Sequence, residues 1–149
     1  MDADTVLAEE RALALPAFTE AEALRLGQAM VAEGLARGAP IVIDIRTPNR
    51  TLFHASLPGS AAENDAWARR KSNLAWFFGT SSLVQRLRHE AKGRGLAHSG
   101  LTDTDHALSG GAVPVRVKGA GIVAVATVSG LPDTEDHAMV VRALRALMG

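Results

Sequence analysis

The chain of 149 residues is 47% apolar, and its 16 basic side chains balance 16 acidic ones, so its formal net charge is zero. This length suits one domain, residues 1–149, with a core of ordinary size, and the balanced charge argues against a protein that mainly binds nucleic acid. Because the sequence has no cysteine, it excludes disulfides, thiolate metal sites and thiol nucleophiles.

The N-terminal segment does not resemble a secretory signal. Met1-Asp2-Ala3-Asp4 is acidic, whereas such a signal begins with basic residues and continues with an apolar run. No stretch of the chain approaches the roughly 20 apolar residues that a membrane span needs. We therefore expect a cytoplasmic protein with no membrane partner.

Two helices are predicted in the first third of the chain. Residues 3–15 form an alanine- and leucine-rich segment that stops before Pro16. The second helix opens with Thr19 and Glu22, whose spacing is that of a reciprocal capping box. Gly38, with Pro40 two residues later, predicts the end of this second helix.

A hairpin is expected next. The segment 41–46 alternates isoleucine with Asp44 and Arg46, which is typical of a half-buried strand, and residues 51–56 can return as its partner after a turn. The middle third then predicts a helix from a capping box at Ser60–Glu63 to Phe78, a further helix over 82–92, and a loop over 93–111.

The last third predicts a strand over 113–118, an almost wholly apolar strand over 122–128, and a closing helix with three acidic residues in its first turn. These elements indicate an α+β single domain with a mainly antiparallel sheet of about five strands flanked by helices.

The closing helix contains one chemical candidate. His137 shares its apolar face, and Asp136 is its neighbour in sequence. One interpretation is a histidine that acts as ligand, acid or base near a pocket. The alternative is a structural histidine that forms a hydrogen bond across the first turn.

The long middle helix contains a second candidate site. It brings Trp67, Arg70 and Lys71 within two turns, with Asn64 one turn earlier. A basic pair beside an aromatic ring can hold a carboxylate or phosphate. The alternative is that Trp67 belongs to the core and the two basic residues form ion pairs at its rim.

Two weaker patterns lie in the predicted loop. Gly110 and Gly111 can expose successive backbone amides as an anion-binding nest, or simply turn the chain, and they lack the spacing of a dinucleotide-binding loop. Asp103, Asp105 and His106 resemble metal ligands only by residue type, so we expect no metal site.

The order of several short motifs resembles a little-characterised family of the haem-degrading-domain superfamily, whose relatives are HbpS-like haem-binding proteins, GlcG-like proteins and the C-terminal domain of PduO-type corrinoid adenosyltransferases. The resemblance extends from about Leu15 to Leu147. Its motifs are Leu57-Pro58-Gly59, Asn64-Asp65-Ala66-Trp67, Arg70-Lys71, Gly110-Gly111, Ser129-Gly130-Leu131-Pro132 and Glu135-Asp136-His137.

The resemblance implies a profilin-like fold, homo-oligomers, and haem or another flat tetrapyrrole-like cofactor as ligand. The sequence departs from the family pattern at Ser109, where many members carry histidine. A serine cannot replace an imidazole as an iron ligand, and His106 can compensate only if the loop folds back.

We consider two functions. The first is a cytoplasmic, oligomeric protein that binds a small anionic or tetrapyrrole-like ligand, with haem as a candidate cofactor. The alternative is a non-catalytic assembly or adaptor protein whose signature residues form subunit interfaces. A haem-degrading enzyme, which needs a reductant and oxygen, ranks last, because no residue is marked as an axial ligand of the iron. The proposed ligand-binding residues are Asn64, Trp67, Arg70, Lys71, Gly110, Gly111, Asp136 and His137.

Overall fold

The computed structural model describes all residues from Met1 to Gly149. Its elements in chain order are α1 (Ala3–Arg11), α2 (Glu20–Arg37), β1 (Val42–Thr47), β2 (Arg50–Ser56), α3 (Ala62–Phe78), α4 (Ser82–Ala91), β3 (Ala112–Val117), β4 (Gly121–Ser129) and α5 (Asp133–Leu147). One 3-10 turn, Leu96–Ser99, lies between α4 and β3. No helix has both the length and the apolarity that crossing a membrane requires.

The four strands form one antiparallel sheet in the order β2-β1-β4-β3. This confirms the α+β class and corrects the expected number of strands, which was about five. The predicted loop adds only the 3-10 turn, and the pairing of Leu15 with Val117 is an isolated bridge. The sheet therefore has two free edges, β2 and β3.

The two faces of the sheet differ in chemistry. Side chains such as Ile43, Ile45 and Val113 join a core of 20 buried residues together with α2 and α5. Helix α3 covers the opposite face, where the apolar cluster consists only of Ala75, Ala112 and Val125. The remaining buried side chains of that region include polar ones on both layers, among them Asp44, Ser72, Thr127 and Ser129.

The caps of two helices show how local sequence sets their start. The predicted box at Thr19 is confirmed, because the Thr19 amide donates to Glu22 Oε1 over 2.6 Å and the Ala21 amide donates to Thr19 Oγ1 over 3.2 Å. The box expected at Ser60–Glu63 was wrong. There Ser60 Oγ donates to the Leu57 carbonyl, and Asn64 Oδ1 accepts from the Ala61 amide over 2.9 Å.

This fold brings three chain segments together at one end of the sheet. Strand β4 ends at Ser129, and α5 begins four residues later, at Asp133. Strand β3 begins beside that end, because Ala112 pairs with Thr127. The first half of α3 lies over the same corner, where it contacts α5 through Lys71. The candidate site is formed there.

Candidate functional site

A cleft of about 280 Å³ opens between the first half of α3 and the start of α5. Nine residues line it, and seven of them are not hydrophobic. They are Asn64, Trp67, Lys71, Ser109, Ser129, Gly130, Leu131, Asp133 and Asp136. Four of the eight residues proposed from the sequence are thus brought together: Asn64, Trp67, Lys71 and Asp136.

A buried ion pair forms the floor of this cleft. Lys71 Nζ lies 2.9 Å from Asp136 Oδ2, and the two side chains are only 3% and 1% exposed. The Lys71 ammonium also donates to the Val128 carbonyl over 3.3 Å, and Asp136 Oδ1 accepts from the Leu131 amide over 3.0 Å. Burial raises the pKa of Asp136 above its usual range, and Lys71 offsets part of this shift.

Gly111 makes room for the ion pair. A Cβ at this position would lie 2.5 Å from the Val128 carbonyl oxygen and 2.9 Å from Lys71 Nζ. Its φ of +133° is also a conformation that side-chain-bearing residues rarely adopt. Gly111 therefore contributes to the site through its missing side chain.

Part of the expected nest of glycine amides is occupied by groups of the protein. The Gly110 amide donates to Asp133 Oδ2 over 2.9 Å, and the following Ala112 amide donates to Ser82 Oγ over 3.0 Å. Arg86 of α4 forms an ion pair with the same Asp133 carboxylate. The Gly110 prediction is corrected accordingly: its amide serves to anchor Asp133 at the start of α5.

Arg70 takes another role than the one expected. Its guanidinium lies over the Trp67 ring, 4.2 Å from the ring centroid, and it donates to the Asp103 carbonyl over 3.1 Å. It is not among the residues that line the cleft. Arg70 holds the 101–110 loop against α3 and supports Trp67 from one side.

His137 does not line the cleft either. It is buried, and its Nδ1 has no hydrogen-bond partner within the protein. Burial lowers the pKa of His137 to about 4, although the nearby carboxylates Glu9 and Asp133 oppose this shift. The side chain is therefore uncharged at neutral pH and belongs to the packing of α5.

The loop that precedes Gly110 is attached to α3 by several hydrogen bonds. Arg69 donates to Asp105 Oδ1 over 3.1 Å, and Asn73 donates to the Asp105 carbonyl over 2.9 Å. His106 packs edge-to-face on Phe77, with ring centroids 6.0 Å apart. His106 consequently lies near the C-terminal end of α3, whereas Ser109 lines the cleft, so it does not compensate for Ser109 there.

A second polar cluster attaches the first turn of α3 to the sheet. Asp44 is fully buried and forms an ion pair with Arg46. His54 lies between two carboxylates, with Nδ1 2.9 Å from Asp44 Oδ1 and Nε2 2.9 Å from Asp65 Oδ1. Because carboxylates only accept, both contacts are hydrogen bonds when the imidazole carries two protons.

Five residues of the cleft were not among the proposed ligand-binding residues: Ser109, Ser129, Gly130, Leu131 and Asp133. Three of them belong to the Ser129-Gly130-Leu131-Pro132 motif that supports the family resemblance, but no local signal in the sequence marks their role in a site. The Asp44–His54–Asp65 cluster was also missed, because β2 and α3 place its members together only after folding.

Comparisons with known proteins agree with this fold. A model of the family described as "Haem degrading protein HbpS-like" matches residues 18–145. A UPF0303 protein of Streptomyces avermitilis is 46% identical over 142 residues, which cover 95% of this chain and 87% of that protein.

Two solved structures are also similar. That of the Ybr137w protein superimposes with a TM-score of 0.90 at 30% identity, covering 99% of this chain and 88% of that one. That of a PduOC:heme complex has a TM-score of 0.68 at 18% identity and covers 87% and 94% of the two chains, which is a likeness of fold. With a family model that matches most of its length, the chain belongs to the HbpS-like family of haem-degrading-domain proteins.

Proposed function

We propose that this chain is a cytoplasmic, single-domain, self-associating protein that binds a small polar ligand in the Lys71–Asp136 cleft. The observation that carries the proposal is the ion pair on the cleft floor, whose two side chains are almost fully buried yet line an open cleft. Burying two charges is costly, and a core of apolar residues would serve folding alone at least as well. The pair is therefore better explained by a ligand than by packing.

The cleft does not fit haem. Haem iron takes an imidazole, thiolate, thioether or phenolate ligand, and none of these groups lines the cleft. Only Trp67 and Leu131 offer apolar surface there, whereas a flat tetrapyrrole needs an apolar slot. The ligand that suits this lining is small and polar.

The proposal is tested by mass spectrometry of small molecules that co-purify with the protein. Wild type should retain a compound that Trp67→Ala loses, while Phe77→Ala, which changes an exposed aromatic residue on the same helix away from the cleft, should retain it. Loss of the compound in both variants would contradict a ligand site in this cleft. So would its absence from all three proteins together with the failure of added small polar compounds to bind in the cleft.

Haem binding at another place is the second candidate function, and the position of His106 favours it. A shallow depression of about 410 Å³ is lined by Pro48, Asn73, Trp76, Phe77 and His106. Here an imidazole does lie beside aromatic rings. Haemin added to wild type and to Trp67→Ala should give a saturable Soret shift that His106→Ala abolishes. A spectrum equal to that of free haemin would contradict this candidate.

Self-association is supported by large apolar side chains on the surface. Leu24, Leu35 and Phe77 are 49%, 56% and 54% exposed, and subunit interfaces use such side chains where they form a contiguous patch. Light scattering after size exclusion separates assembly from ligand binding. If Trp67→Ala dissociates the oligomer, the adaptor function is supported, whereas an intact oligomer that has lost its ligand supports the cleft.

A further inference from the structure

Ser129 has a hydroxyl on the cleft wall that no group of the protein satisfies. The residue is 2% exposed, lines the cleft, and its Oγ makes no hydrogen bond within the chain. The Oγ atom itself is not fully enclosed, so it is open to the cleft. Its position at the end of β4 and on the wall of the cleft indicates that the missing partner is a ligand.

Lys71 contributes a second unused donor. An ammonium group has three N–H donors, and Lys71 uses two of them, toward Asp136 Oδ2 and the Val128 carbonyl. Asn64 adds the two N–H donors of its side-chain amide. The oxygen of that side chain already accepts from the Ala61 backbone amide. The free groups of the cleft are therefore mostly donors.

The carboxylates of the cleft are already engaged by donors of the protein. Asp136 accepts from Lys71 and from the Leu131 amide, and Asp133 accepts from Arg86 and from the Gly110 amide. A ligand that offers mainly donors would find no carboxylate without a partner in the protein. A ligand that offers mainly acceptors would satisfy the donors that remain.

We propose that the ligand of this cleft is a small carboxylate, whose oxygens accept hydrogen bonds from Lys71 Nζ and Ser129 Oγ. This inference rests on the proposed function and specifies its ligand class. A carboxylate only accepts hydrogen bonds, and the nearby start of α5 favours negative charge. Trp67 and Leu131 provide the apolar wall for a short carbon chain, and the cleft volume of about 280 Å³ limits its length.

Binding should be coupled to uptake of a proton by Asp136. The charged groups around it are Lys71 from α3 and Asp133 on its own helix, which is paired with Arg86 from α4. Arg37 from α2 pairs with Glu33 and Glu135 and not with Asp136, and the backbone amides of Gly130 and Leu131, which follow β4, donate to Asp136. Burial already raises the pKa of Asp136, and a second carboxylate beside Lys71 raises it further.

The sign of this coupling follows from linkage. Because the carboxylate binds the protonated form of Asp136 more tightly, its affinity should rise as the pH falls toward the pKa of Asp136. Between the pKa of Asp136 in the free protein and its higher pKa in the complex, up to one proton enters the protein for each carboxylate bound. In Asp136→Asn the uptake should disappear.

Butyrate and its uncharged counterpart butyramide are suitable probes. When the titrations are followed by ¹H–¹⁵N spectra, the amide signals of Gly130 and Leu131 should shift with butyrate only.

Ser129→Ala should weaken butyrate binding about tenfold without loss of stability, because its hydroxyl has no partner in the protein. Ser72→Ala, which removes a buried unpartnered hydroxyl outside the cleft, should bind butyrate like wild type. Calorimetry in two buffers of different ionisation enthalpy measures the proton uptake.

The outcomes separate this inference from the proposed function. Equal shifts from butyramide and butyrate overturn the carboxylate class and keep the cleft as a ligand site. The same conclusion follows if neither probe binds while a compound without a carboxylate co-purifies in a Trp67-dependent manner. If no compound co-purifies and neither probe binds, both the inference and the proposed function are overturned. Unchanged butyrate affinity in Ser129→Ala overturns the assignment of its hydroxyl.

Discussion

Lys71 Nζ and Asp136 Oδ2 lie 2.9 Å apart although 65 positions separate the two residues in the chain. The pair joins α3 to the first turn of α5 across the end of the sheet. Since both side chains are almost completely buried, the energy of the pair depends on each partner neutralising the other.

Removing one partner should therefore be more harmful than removing both. Lys71→Met leaves the Asp136 carboxylate buried and unpaired, and we expect it to lower the free energy of unfolding by about 3–5 kcal/mol. The double variant Lys71→Met/Asp136→Leu should be clearly more stable than this single variant, because no charge is left buried. Urea unfolding at pH 7 measures both. A single variant within about 1 kcal/mol of wild type would contradict the buried pair.

The acid stability of the protein should depend on His137. Its pKa is about 4 in the folded chain and 6.5 when unperturbed, so between these pH values the unfolded chain binds more protons than the folded one. Stability therefore falls as the pH drops from 6.5 toward 4, by roughly 3 kcal/mol in total from this residue. Asp136 and Glu10, whose pKa values burial raises, act in the opposite direction.

A comparison of variants isolates this contribution. His137→Leu should remove the loss of stability between pH 6.5 and about 4, whereas His98→Leu, which changes an exposed histidine, should follow the wild-type pH profile. Urea unfolding at several pH values in this window provides the measurement. If His137→Leu and wild type lose stability in parallel, the histidine is not buried in its uncharged form.

Gly111 should tolerate substitution far less than another glycine of positive φ. Alanine at Gly111 would force its Cβ against the Val128 carbonyl and the Lys71 ammonium, and we expect a loss of at least about 3 kcal/mol. Gly119 has a φ of +80°, but a Cβ added there would meet no atom within 4 Å, so Gly119→Ala should cost only about 1–2 kcal/mol. Thermal unfolding of both variants decides, and equal losses would show that backbone strain alone matters at Gly111.

The two carboxylates that flank His54 should contribute unequally to the free energy of unfolding. Asp44 is fully buried, and its removal leaves the charge of Arg46 without its partner, so Asp44→Ala should cost about 3 kcal/mol or more. The Asp65 side chain is 43% exposed, and Asp65→Ala should cost at most about 1 kcal/mol. Urea unfolding of the two variants measures the difference, and equal losses would contradict it.

Hydrogen exchange gives an independent measure of the Asp65 contact. Asp65→Ala should accelerate exchange of amides in the first turns of α3, because the link from this turn to β2 is lost, while amides near Phe78 should exchange as in wild type. Unchanged exchange over the whole helix would show that His54 does not hold α3 through Asp65.

Part of the site was predictable because α3 has a regular period. Asn64, Trp67 and Lys71 follow each other at intervals of three and four residues, which places them on one side of any helix that includes them. The same rule gave no means to exclude Arg70, whose guanidinium lies over Trp67 and contacts the Asp103 carbonyl. The position of a long side chain depends on partners that periodicity does not reveal.

The two predicted capping boxes also show where local sequence predicts a helix cap and where it does not. The box at Thr19 and Glu22 formed as predicted, whereas Ser60 turned to the Leu57 carbonyl and left Asn64 to cap α3. Both segments fit the pattern, but the chain that enters α3 is positioned by the preceding turn. A capping motif forms only where no other acceptor competes for the same hydroxyl, and here the competitor is a carbonyl three residues earlier.

For this protein, composition, turn residues and hydrophobic period alone determined the α+β class and the place of nearly every helix and strand, because contacts within a few residues dominate those choices. They also excluded thiol chemistry and argued against a protein that mainly binds nucleic acid. Only the tertiary structure decided that Lys71 meets Asp136, that Ser129 faces the same cleft, and that His137 does not. Those relationships depend on how α3 and α5 pack at the end of the sheet, and no local sequence signal encodes the distance between residues on separate elements.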